Sequence, residues 1–207
     1  MLLSRVSNPG RFSGNKSLRL RKSYWMSKEA RGSMSETLIL VDPKDSPVGF
    51  EEKIAAHQNG GRLHRAFSIF ILNSKNQLLL QQRSSEKLIF RKLWSNSCCS
   101  HPLKGEELGK AIHRKLQQEF GFDANMEEVF SFTYKAKDEN SGLTEHEFDH
   151  VFIGKYEGTP KPNPSEIADW KWVSVADLKK DLSKNPDRYT PWLKPALDKL
   201  VKEARLA

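Results

Sequence analysis

The segment from Trp94 to Pro102 holds both cysteines of the chain, with a histidine two residues after the second. Its composition suits an extended strand, so Cys99 and His101 are predicted to share one face while Cys98 faces the core. A thiol with an ordinary pKa of about 8.5 can exchange a proton near neutral pH, and an imidazole can bind a metal ion. The structural alternative is a small buried thiol beside a histidine without a chemical role.

Histidines and glutamates elsewhere in the chain offer further metal ligands. A pair of glycines predicts a turn between His57 and His64, which would let the two imidazoles converge. Glu145 and Glu147 are two residues apart and would share one face of a strand. Nitrogen and oxygen ligands suit Mn²⁺ or Mg²⁺, and imidazole also suits zinc, whereas the alternative is a set of solvated surface residues. The predicted metal-binding group consists of His57, His64, His101, Glu145 and Glu147.

Four basic side chains occur in or next to the same predicted elements. Arginine binds phosphate as a two-pronged donor and lysine binds it as a point charge, so this set predicts an anionic ligand. For each residue taken alone, a solvated surface charge is the alternative. The candidate phosphate-binding residues are Lys53, Arg83, Lys87 and Lys115.

Composition and charge exclude several classes of protein. With 37% hydrophobic and 29% charged residues, the 207-residue chain predicts a soluble globular domain with one sizeable core. No apolar run approaches the roughly 20 residues of a membrane span. The net charge is +8, but residues 1–33 supply +7 of it, from eight Lys or Arg and one Glu, which argues against a nucleic-acid-binding domain. Two adjacent cysteines predict reduced thiols in an intracellular protein.

The first 33 residues are basic, rich in serine and poor in acids. A transit peptide has this composition, and so does a disordered extension or a stretch upstream of a later start at Met26 or Met34. The sequence therefore predicts an extension over 1–33 and one domain over 34–207. It predicts a cytoplasmic protein, or a mitochondrial or plastid protein if the extension is a transit peptide.

The remaining residues predict a mixture of strands and helices. Apolar residues at four-residue spacing from Leu108 to Phe120 predict a helix that ends at Gly121. Strands come before and after this helix and two further helices follow, which favours an α+β fold of mixed β-sheet layers flanked by helices. The predicted strands are 36–42, 48–50, 65–73, 77–83, 94–101, 129–136, 147–155 and 170–174. The predicted helices are 105–120, 175–183 and 191–204.

Three blocks of this sequence occur in the order seen in one enzyme family. They are residues 52–68, residues 95–102 with the string Asn-Ser-Cys-Cys-Ser-His-Pro, and residues 145–147 with Glu-His-Glu. These blocks resemble the type I isopentenyl-diphosphate isomerases, which belong to the Nudix fold superfamily. The resemblance extends from residue 36 to residue 200, and the cysteine-containing string is its most specific part.

The resemblance implies conversion of isopentenyl diphosphate to dimethylallyl diphosphate by an antarafacial 1,3-proton shift through a tertiary carbocation, as a step of isoprenoid biosynthesis. The pocket then needs an acid and a base on opposite faces of the substrate, and Cys99 and Glu147 match the family's pair. Tyr134 matches its assisting phenol. Trp192 matches its cation-facing aromatic, and an indole face stabilises nearby positive charge. A dry pocket would keep water from trapping the cation.

The same resemblance implies two cation sites and a small anionic substrate. It assigns the predicted His and Glu ligands to one divalent metal, Mn²⁺ or Mg²⁺ with zinc as an alternative, and Glu119 to a Mg²⁺ held with the substrate's diphosphate. It assigns Lys53, Arg83, Lys87 and Lys115 to that diphosphate. The expected protein is a monomer that binds isopentenyl diphosphate and neither nucleic acid nor membrane.

Two departures from the family pattern affect these expectations. Arg91-Lys92 replaces the usual Pro-Gly turn before the central strand. The shape of this loop can therefore differ from that in the family, but no matched catalytic residue is affected. The Nudix hydrolase box is degraded, because Lys115 and Gln118 replace two expected acids. The residues that still fit the box are Glu106, Arg114, Glu119 and Gly121. A Nudix-type diphosphate hydrolase and a non-catalytic metal- or phosphate-binding module are the alternatives, and the missing acids argue against hydrolysis.

Overall fold

The structure is a computed structural model that describes residues 36–204, so the predictions for residues 1–33 lie outside it. Nine strands form one sheet within these residues, and four α-helices and a short 3-10 helix complete the fold. The strands are β1 (Thr37–Val41), β2 (Pro47–Glu52), β3 (His64–Leu72), β4 (Gln77–Arg83), β5 (Trp94–Ser95), β6 (Cys98–Ser100), β7 (Met126–Lys137), β8 (Thr144–Lys155) and β9 (Ile167–Ser174). The helices are α1 (Lys53–His57), α2 (Leu108–Phe120), α3 (Val175–Lys184) and α4 (Leu193–Glu203), and the 3-10 helix is Pro186–Arg188.

Strand β3 is the centre of the sheet. It pairs in parallel with β8 along its whole length, and it pairs antiparallel with β1, β6 and β4 at its start, middle and end. Every residue of β3 from Ala66 onward is buried, as in strands that are covered on both faces. The register places His64 opposite Glu147 and Ser68 opposite Cys99. Pairing with β3 therefore brings the predicted chemical residues of three strands to one part of the sheet.

Helices cover the two faces of the sheet and form two apolar cores. In one core α2 packs with Ile69 and Cys98, and in the other α3 and α4 pack with Phe70 and Leu80. Because strand side chains alternate, the neighbours Ile69 and Phe70 of β3 enter different cores. The predicted α+β class is confirmed. No helix in residues 36–204 is long and apolar enough to cross a membrane.

The predicted continuous strand over 94–101 is wrong, because it is interrupted in the middle. β5 pairs with β4, β6 pairs with β3, and Asn96 and Ser97 lie between them. Ser97 Oγ accepts a hydrogen bond from the backbone amide of Ile71 at 2.9 Å, and Asn96 Nδ2 donates one to the carbonyl of Cys98 at 3.1 Å. Side-chain bonds of this kind compete with regular strand pairing. Cys98 and Cys99 nevertheless point to opposite sides, as predicted.

Several element boundaries differ from the predicted ones. α2 begins at Leu108 rather than at 105, because Gly105 has a φ of +81°, outside the helical region. It ends as predicted, where Gly121 has a φ of +72° and donates to the carbonyl of Gln117. β7, β8 and β9 each begin before the predicted residue, and α4 begins at Leu193 rather than at 191. The short helix α1 is not among the predicted elements.

Candidate active site

Three histidines and two glutamates from four parts of the chain meet and form a buried group. The members of this His/Glu group are His57 from α1, His64 from β3, His101 after β6, and Glu145 and Glu147 from β8. The turn between α1 and β3 contains Gly61 at a φ of +72°, where a Cβ atom would lie 2.6 Å from the carbonyl of Thr144. Ligand atoms of four members, all but Glu147, lie within 4.8 Å of one another. The structure therefore brings the predicted residues together, and their role as metal ligands stays a prediction.

The backbone orients two imidazoles of this group. His57 Nδ1 contacts the carbonyl of Lys53 at 2.6 Å, and His64 Nδ1 contacts the carbonyl of Arg62 at 2.8 Å. Donation by each Nδ1 leaves the Nε2 lone pair facing the group, and His57 Nε2 lies 2.8 Å from Glu145 Oε2. Outer hydrogen bonds to Nδ1 are the usual support of metal-binding histidines.

Distances within the His/Glu group fit a divalent cation. His101 Nε2 lies 3.2 Å from His64 Nε2 and 2.8 Å from Glu147 Oε1. A cation with ligand bonds of about 2.1 Å at right angles keeps its ligand atoms about 3 Å apart. Burial and the neighbouring His64 hold the pKa of His101 well below its ordinary value, which favours the neutral imidazole that binds metals. The donor set and its spacing therefore fit a metal ion.

Cys99 lies among hydrogen-bonding side chains. Its Sγ is 2.9 Å from Asn96 Oδ1, 3.2 Å from Trp192 Nε1 and 3.6 Å from Ser95 Oγ. Cys98 points away, is fully buried and packs in the core beneath α2. Both residues are free thiols, as predicted. Cys99 therefore stays the predicted catalytic cysteine.

The protonation of Cys99 differs from the sequence-based expectation. Burial, and to a lesser extent the neighbouring Asp149, raises the pKa of the thiol to about 12, although hydrogen bonds from Ser95 and Trp192 oppose the rise. The expectation of an ordinary thiol pKa is therefore wrong. At neutral pH Cys99 holds its proton and is not a thiolate.

An aromatic wall connects Cys99 to the His/Glu group. The ring of Trp192, whose Nε1 contacts Cys99, lies 5.6 Å from the ring of Tyr134. Tyr134 donates its hydroxyl hydrogen to Glu147 Oε2 at 2.5 Å. Burial and Glu147 raise the pKa of Tyr134 well above its ordinary value, so the phenol keeps its proton. Burial alone would raise the pKa of Glu147, but the neighbouring His64, whose Nε2 lies 3.7 Å from Glu147 Oε1, and the hydrogen bond from Tyr134 lower it overall, so Glu147 is a carboxylate.

A cavity of about 90 Å³ lies between these groups, and all four predicted catalytic residues and all four predicted phosphate-binding residues line it. Arg83 reaches it from β4 and is held by the carbonyl of Ile89, 2.7 Å from its Nη2. The guanidinium carbon of Arg83 lies 5.5 Å from the ring centre of Trp192. Lys53 is paired with Glu36 at 2.7 Å. The predicted phosphate-binding residues thus meet the predicted catalytic residues at a single cavity.

The other two lysines belong to a closed ring of charges, the Lys/Glu ring, formed by Lys87, Lys115, Glu119 and Glu166. Glu119 Oε1 lies 3.1 Å from Lys87 Nζ and 3.0 Å from Lys115 Nζ. Glu166 also contacts both lysines, at 3.5 Å in the case of Lys115. Burial alone would raise the pKa of Glu119, but the two lysines lower it to about 2. The structure places Glu119 in this ring rather than in the His/Glu group, and its role as a Mg²⁺ ligand stays a prediction.

The chain matches known proteins over most of its length. The NUDIX domain family matches residues 62–193. Isopentenyl-diphosphate Delta-isomerase 2 of Aromatoleum aromaticum is 48% identical over 168 residues, which cover 81% of this chain and 88% of that protein. The isopentenyl-diphosphate Delta-isomerase of Halorhodospira halophila is 43% identical over 173 residues, which cover 83% of this chain and 97% of that protein. The chain belongs to the isopentenyl-diphosphate isomerase family.

The fold of this isomerase family member also occurs in a solved structure. DR0079 from Deinococcus radiodurans superposes with a TM-score of 0.66 over 79% of this chain and 98% of that one. The two sequences are 22% identical, so the likeness concerns the fold alone. The predicted Nudix-like architecture is confirmed.

Several polar residues around the site of this isomerase family member were not predicted. Asp149 is buried and accepts a hydrogen bond from Ser68 Oγ at 2.8 Å. It follows Glu147 by two residues in β8, so strand alternation could have found it. Asn96 lies within the specific cysteine-containing string. Glu166 precedes β9 in a loop, where no periodic pattern marks it.

Proposed function

We propose that this chain converts isopentenyl diphosphate to dimethylallyl diphosphate, the activity in the names of its curated relatives. The observation that carries the proposal is one cavity that Cys99 and Glu147 both line, with Tyr134 and Trp192 between them. A proton-holding thiol and an ionised carboxylate at one cavity suit a reaction that needs two proton carriers.

The proposed reaction moves hydrogen without a net change of charge or composition. A proton adds to the terminal methylene carbon C4, and a proton leaves C2, so the double bond moves from C3–C4 to C2–C3. A tertiary cation at C3 separates the two steps. Cys99 and Glu147 serve as the two proton carriers, and exchange with solvent restores their protonation after each turnover.

Two aromatic side chains support these carriers. Trp192 is buried, and its indole face is the kind of surface that stabilises a neighbouring cation. Its N–H points at the sulfur of Cys99 and so orients the thiol. Tyr134 orients Glu147 through the 2.5 Å hydrogen bond. Both residues are therefore proposed to take part in catalysis.

The proposed enzyme uses divalent metal at two places. The His/Glu group holds one ion, Mn²⁺ or Mg²⁺ with zinc as the alternative, and Glu119 helps to hold a Mg²⁺ with the diphosphate. A bound metal supplies positive charge next to Glu147 and to the phosphate oxygens. The diphosphate itself binds the basic residues Lys53, Arg83, Lys87 and Lys115.

Hydrolysis of a diphosphate is the second candidate, because the NUDIX fold is shared with hydrolases such as the Burkholderia pseudomallei MutT protein. One contact argues against it here. Lys115 stands where the hydrolase box has an acid, and its ammonium group lies 3.0 Å from Glu119. A cation bound by several carboxylates would need acids at that position.

Partner and location follow the same proposal. The partner is a small-molecule diphosphate, and the protein is a monomer of the cytoplasm. Size-exclusion chromatography with light scattering checks that the protein is a monomer, and cell fractionation checks that it is cytoplasmic.

The function is tested by incubating the purified protein with isopentenyl diphosphate and Mg²⁺. We expect an acid-labile allylic diphosphate, deuterium in the product when the solvent is D₂O, and no released phosphate. Release of inorganic phosphate would favour the hydrolase. No turnover by a folded, metal-loaded protein would favour a non-catalytic binding module.

A further inference from the structure

The Lys/Glu ring conflicts with a simple phosphate-binding role for its lysines. Lys87 and Lys115 are expected to bind the diphosphate, yet both ammonium groups already contact carboxylates. The ring contains two positive and two negative side chains, so its net charge is zero. An anionic substrate can bind both lysines only if one carboxylate gives way.

Glu166 is the carboxylate that can move. Its side chain is 29% exposed, whereas Glu119 is fully buried and also accepts a hydrogen bond from Gln81 Nε2 at 3.3 Å. Two hydrogen bonds fix the main chain of Glu166. Its carbonyl accepts one from the backbone amide of Ser84, and its amide donates one to the carbonyl of Asn163. Rotation of the Glu166 side chain toward solvent therefore requires no movement of the backbone.

The two oxygens of Glu166 bridge the lysines as two phosphate oxygens would. Oε2 contacts Lys87 Nζ, and Oε1 lies 3.5 Å from Lys115 Nζ. All three residues line the cavity that also holds Cys99. A diphosphate carries more negative charge than a carboxylate, so it can replace Glu166 on both ammonium groups.

We propose that Glu166 is an internal counter-ion that occupies the phosphate-binding lysines until the diphosphate of the substrate displaces it. This inference rests on the proposed function, because it takes a diphosphate as the ligand. In the free enzyme Glu166 compensates two largely buried ammonium groups, which would otherwise lack one of their partners. During binding it competes with the substrate, so it sets KM.

The test is Glu166→Gln, which keeps the shape of the side chain and removes its charge. Calorimetry with inorganic diphosphate, with and without Mg²⁺, is expected to show about tenfold tighter binding, because one competing negative charge has been removed. The KM for isopentenyl diphosphate should fall in the same direction, and the effect should be larger on KM than on kcat. Glu157→Gln is the matched control: it removes an exposed charge from the same loop and should change neither quantity.

Thermal stability gives a second measurement that needs no turnover. Without diphosphate, Glu166→Gln should melt below the unaltered protein, because Lys87 and Lys115 have lost a partner. Saturating diphosphate should close this gap, since the ligand then supplies the missing negative charge in both proteins.

Equal or weaker binding of inorganic diphosphate by folded Glu166→Gln would overturn the inference. A higher Mg²⁺ requirement in that variant would overturn it too, because Glu166 would then act as a metal ligand. The proposed function is judged separately, by whether the unaltered protein turns over isopentenyl diphosphate.

Discussion

The His/Glu group and the Lys/Glu ring face the same cavity but balance their charges in different ways. The His/Glu group consists of three imidazoles and two carboxylates, all of which offer lone pairs, so it favours a cation. The Lys/Glu ring pairs two ammonium groups with two carboxylates and is neutral by itself. On our proposals, the first group gains a partner by binding an ion, whereas the second binds an anion only by releasing Glu166.

The two groups also differ in the elements that carry them. Strands β3 and β8 supply three members of the His/Glu group, and their register holds His64 opposite Glu147. In the Lys/Glu ring, Lys87 lies in the loop between β4 and β5, and Glu166 lies in the loop before β9. Strand pairing fixes the side of the cavity that we propose binds metal, while the side that we propose binds phosphate depends on side chains that can move. The comparison therefore predicts a rigid metal site beside an adjustable phosphate site.

The largest expected effect comes from Cys99→Ser, which changes neither group. Turnover of isopentenyl diphosphate should fall by about a thousandfold or more, because a serine hydroxyl exchanges protons far less readily than a thiol. Bound metal and binding of inorganic diphosphate should stay as they are. Steady-state kinetics, metal analysis and calorimetry on one preparation check all three. A parallel loss of metal or diphosphate binding would show that the thiol is part of the charged groups.

Cys98→Ser is the matched control for this change. Cys98 packs in the α2 core, so a hydroxyl there should cost about 1 kcal/mol of unfolding free energy and little activity. A well-folded but inactive Cys98→Ser, together with an active Cys99→Ser, would reverse the catalytic assignment.

The next effect concerns the His/Glu group. His64→Ala and Glu145→Ala should each lower metal affinity by about tenfold or more and reduce activity, because each removes a ligand atom. A chelator should abolish activity in the unaltered protein. Binding of inorganic diphosphate should change little if the two groups are independent. A tenfold loss of diphosphate affinity in the same variants would show that they are not. His113→Ala is the control, and it should leave metal affinity unchanged. His113 of α2 is partly exposed and pairs with Asp123, away from the His/Glu group.

A smaller effect is expected from pH acting on the Lys/Glu ring. The folded pKa of Glu119, about 2, lies below its ordinary value of 4.5. Its stabilising contribution, on the order of 1–3 kcal/mol, is therefore fully present above pH 4.5 and is lost as the pH falls toward 2. Glu119→Gln should be less stable than the unaltered protein at pH 7 and should lose less stability on acidification. Urea unfolding at pH 7 and pH 3 measures this difference, and equal acid sensitivity would contradict it.

Sequence patterns could predict the His/Glu group because strands and a tight turn carry it. Residues two apart on a strand share a face, which applies to Glu145 and Glu147, and a glycine turn brings His57 back toward His64. The same rule would have added Asp149. The face of Cys99 was predicted for a similar reason, although the strand is broken at Asn96 by side-chain hydrogen bonds that periodicity does not reveal.

The Lys/Glu ring could not be predicted in the same way. Helical spacing places Lys115 and Glu119 one turn apart, so their pairing follows from the sequence. Lys87 and Glu166 are far apart in the chain and meet only because β4 and β9 pair. The elevated pKa of Cys99 likewise depends on burial and on Asp149 from another strand. Charges brought together by long-range strand pairing leave no local pattern.

The loop that carries Lys87 provides the smallest expected effect. Two residues of this loop that are not glycine, Phe90 and Lys92, have positive φ values of 51° and 63°. Side chains with a Cβ atom rarely adopt this conformation, which costs roughly 1–2 kcal/mol, whereas glycine adopts it freely. In the isomerase family a Pro-Gly turn usually stands at positions 91 and 92, so the glycine of that turn would relieve the strain at Lys92.

Lys92→Gly should therefore raise stability. The relief is partly offset by the extra freedom of glycine in the unfolded chain, which leaves a net gain of about 0.5 kcal/mol. Lys92 uses backbone atoms for its contacts with Arg83 and Gln82, so glycine keeps them. Lys75→Gly is the control, because Lys75 is exposed and lacks a positive φ, so glycine there should only destabilise. Urea unfolding of both variants measures the difference. A loss of stability in Lys92→Gly equal to that in Lys75→Gly would show that the loop carrying Lys87 is unstrained. The contrast between a rigid metal site and an adjustable phosphate site would then depend on the side chain of Glu166 alone.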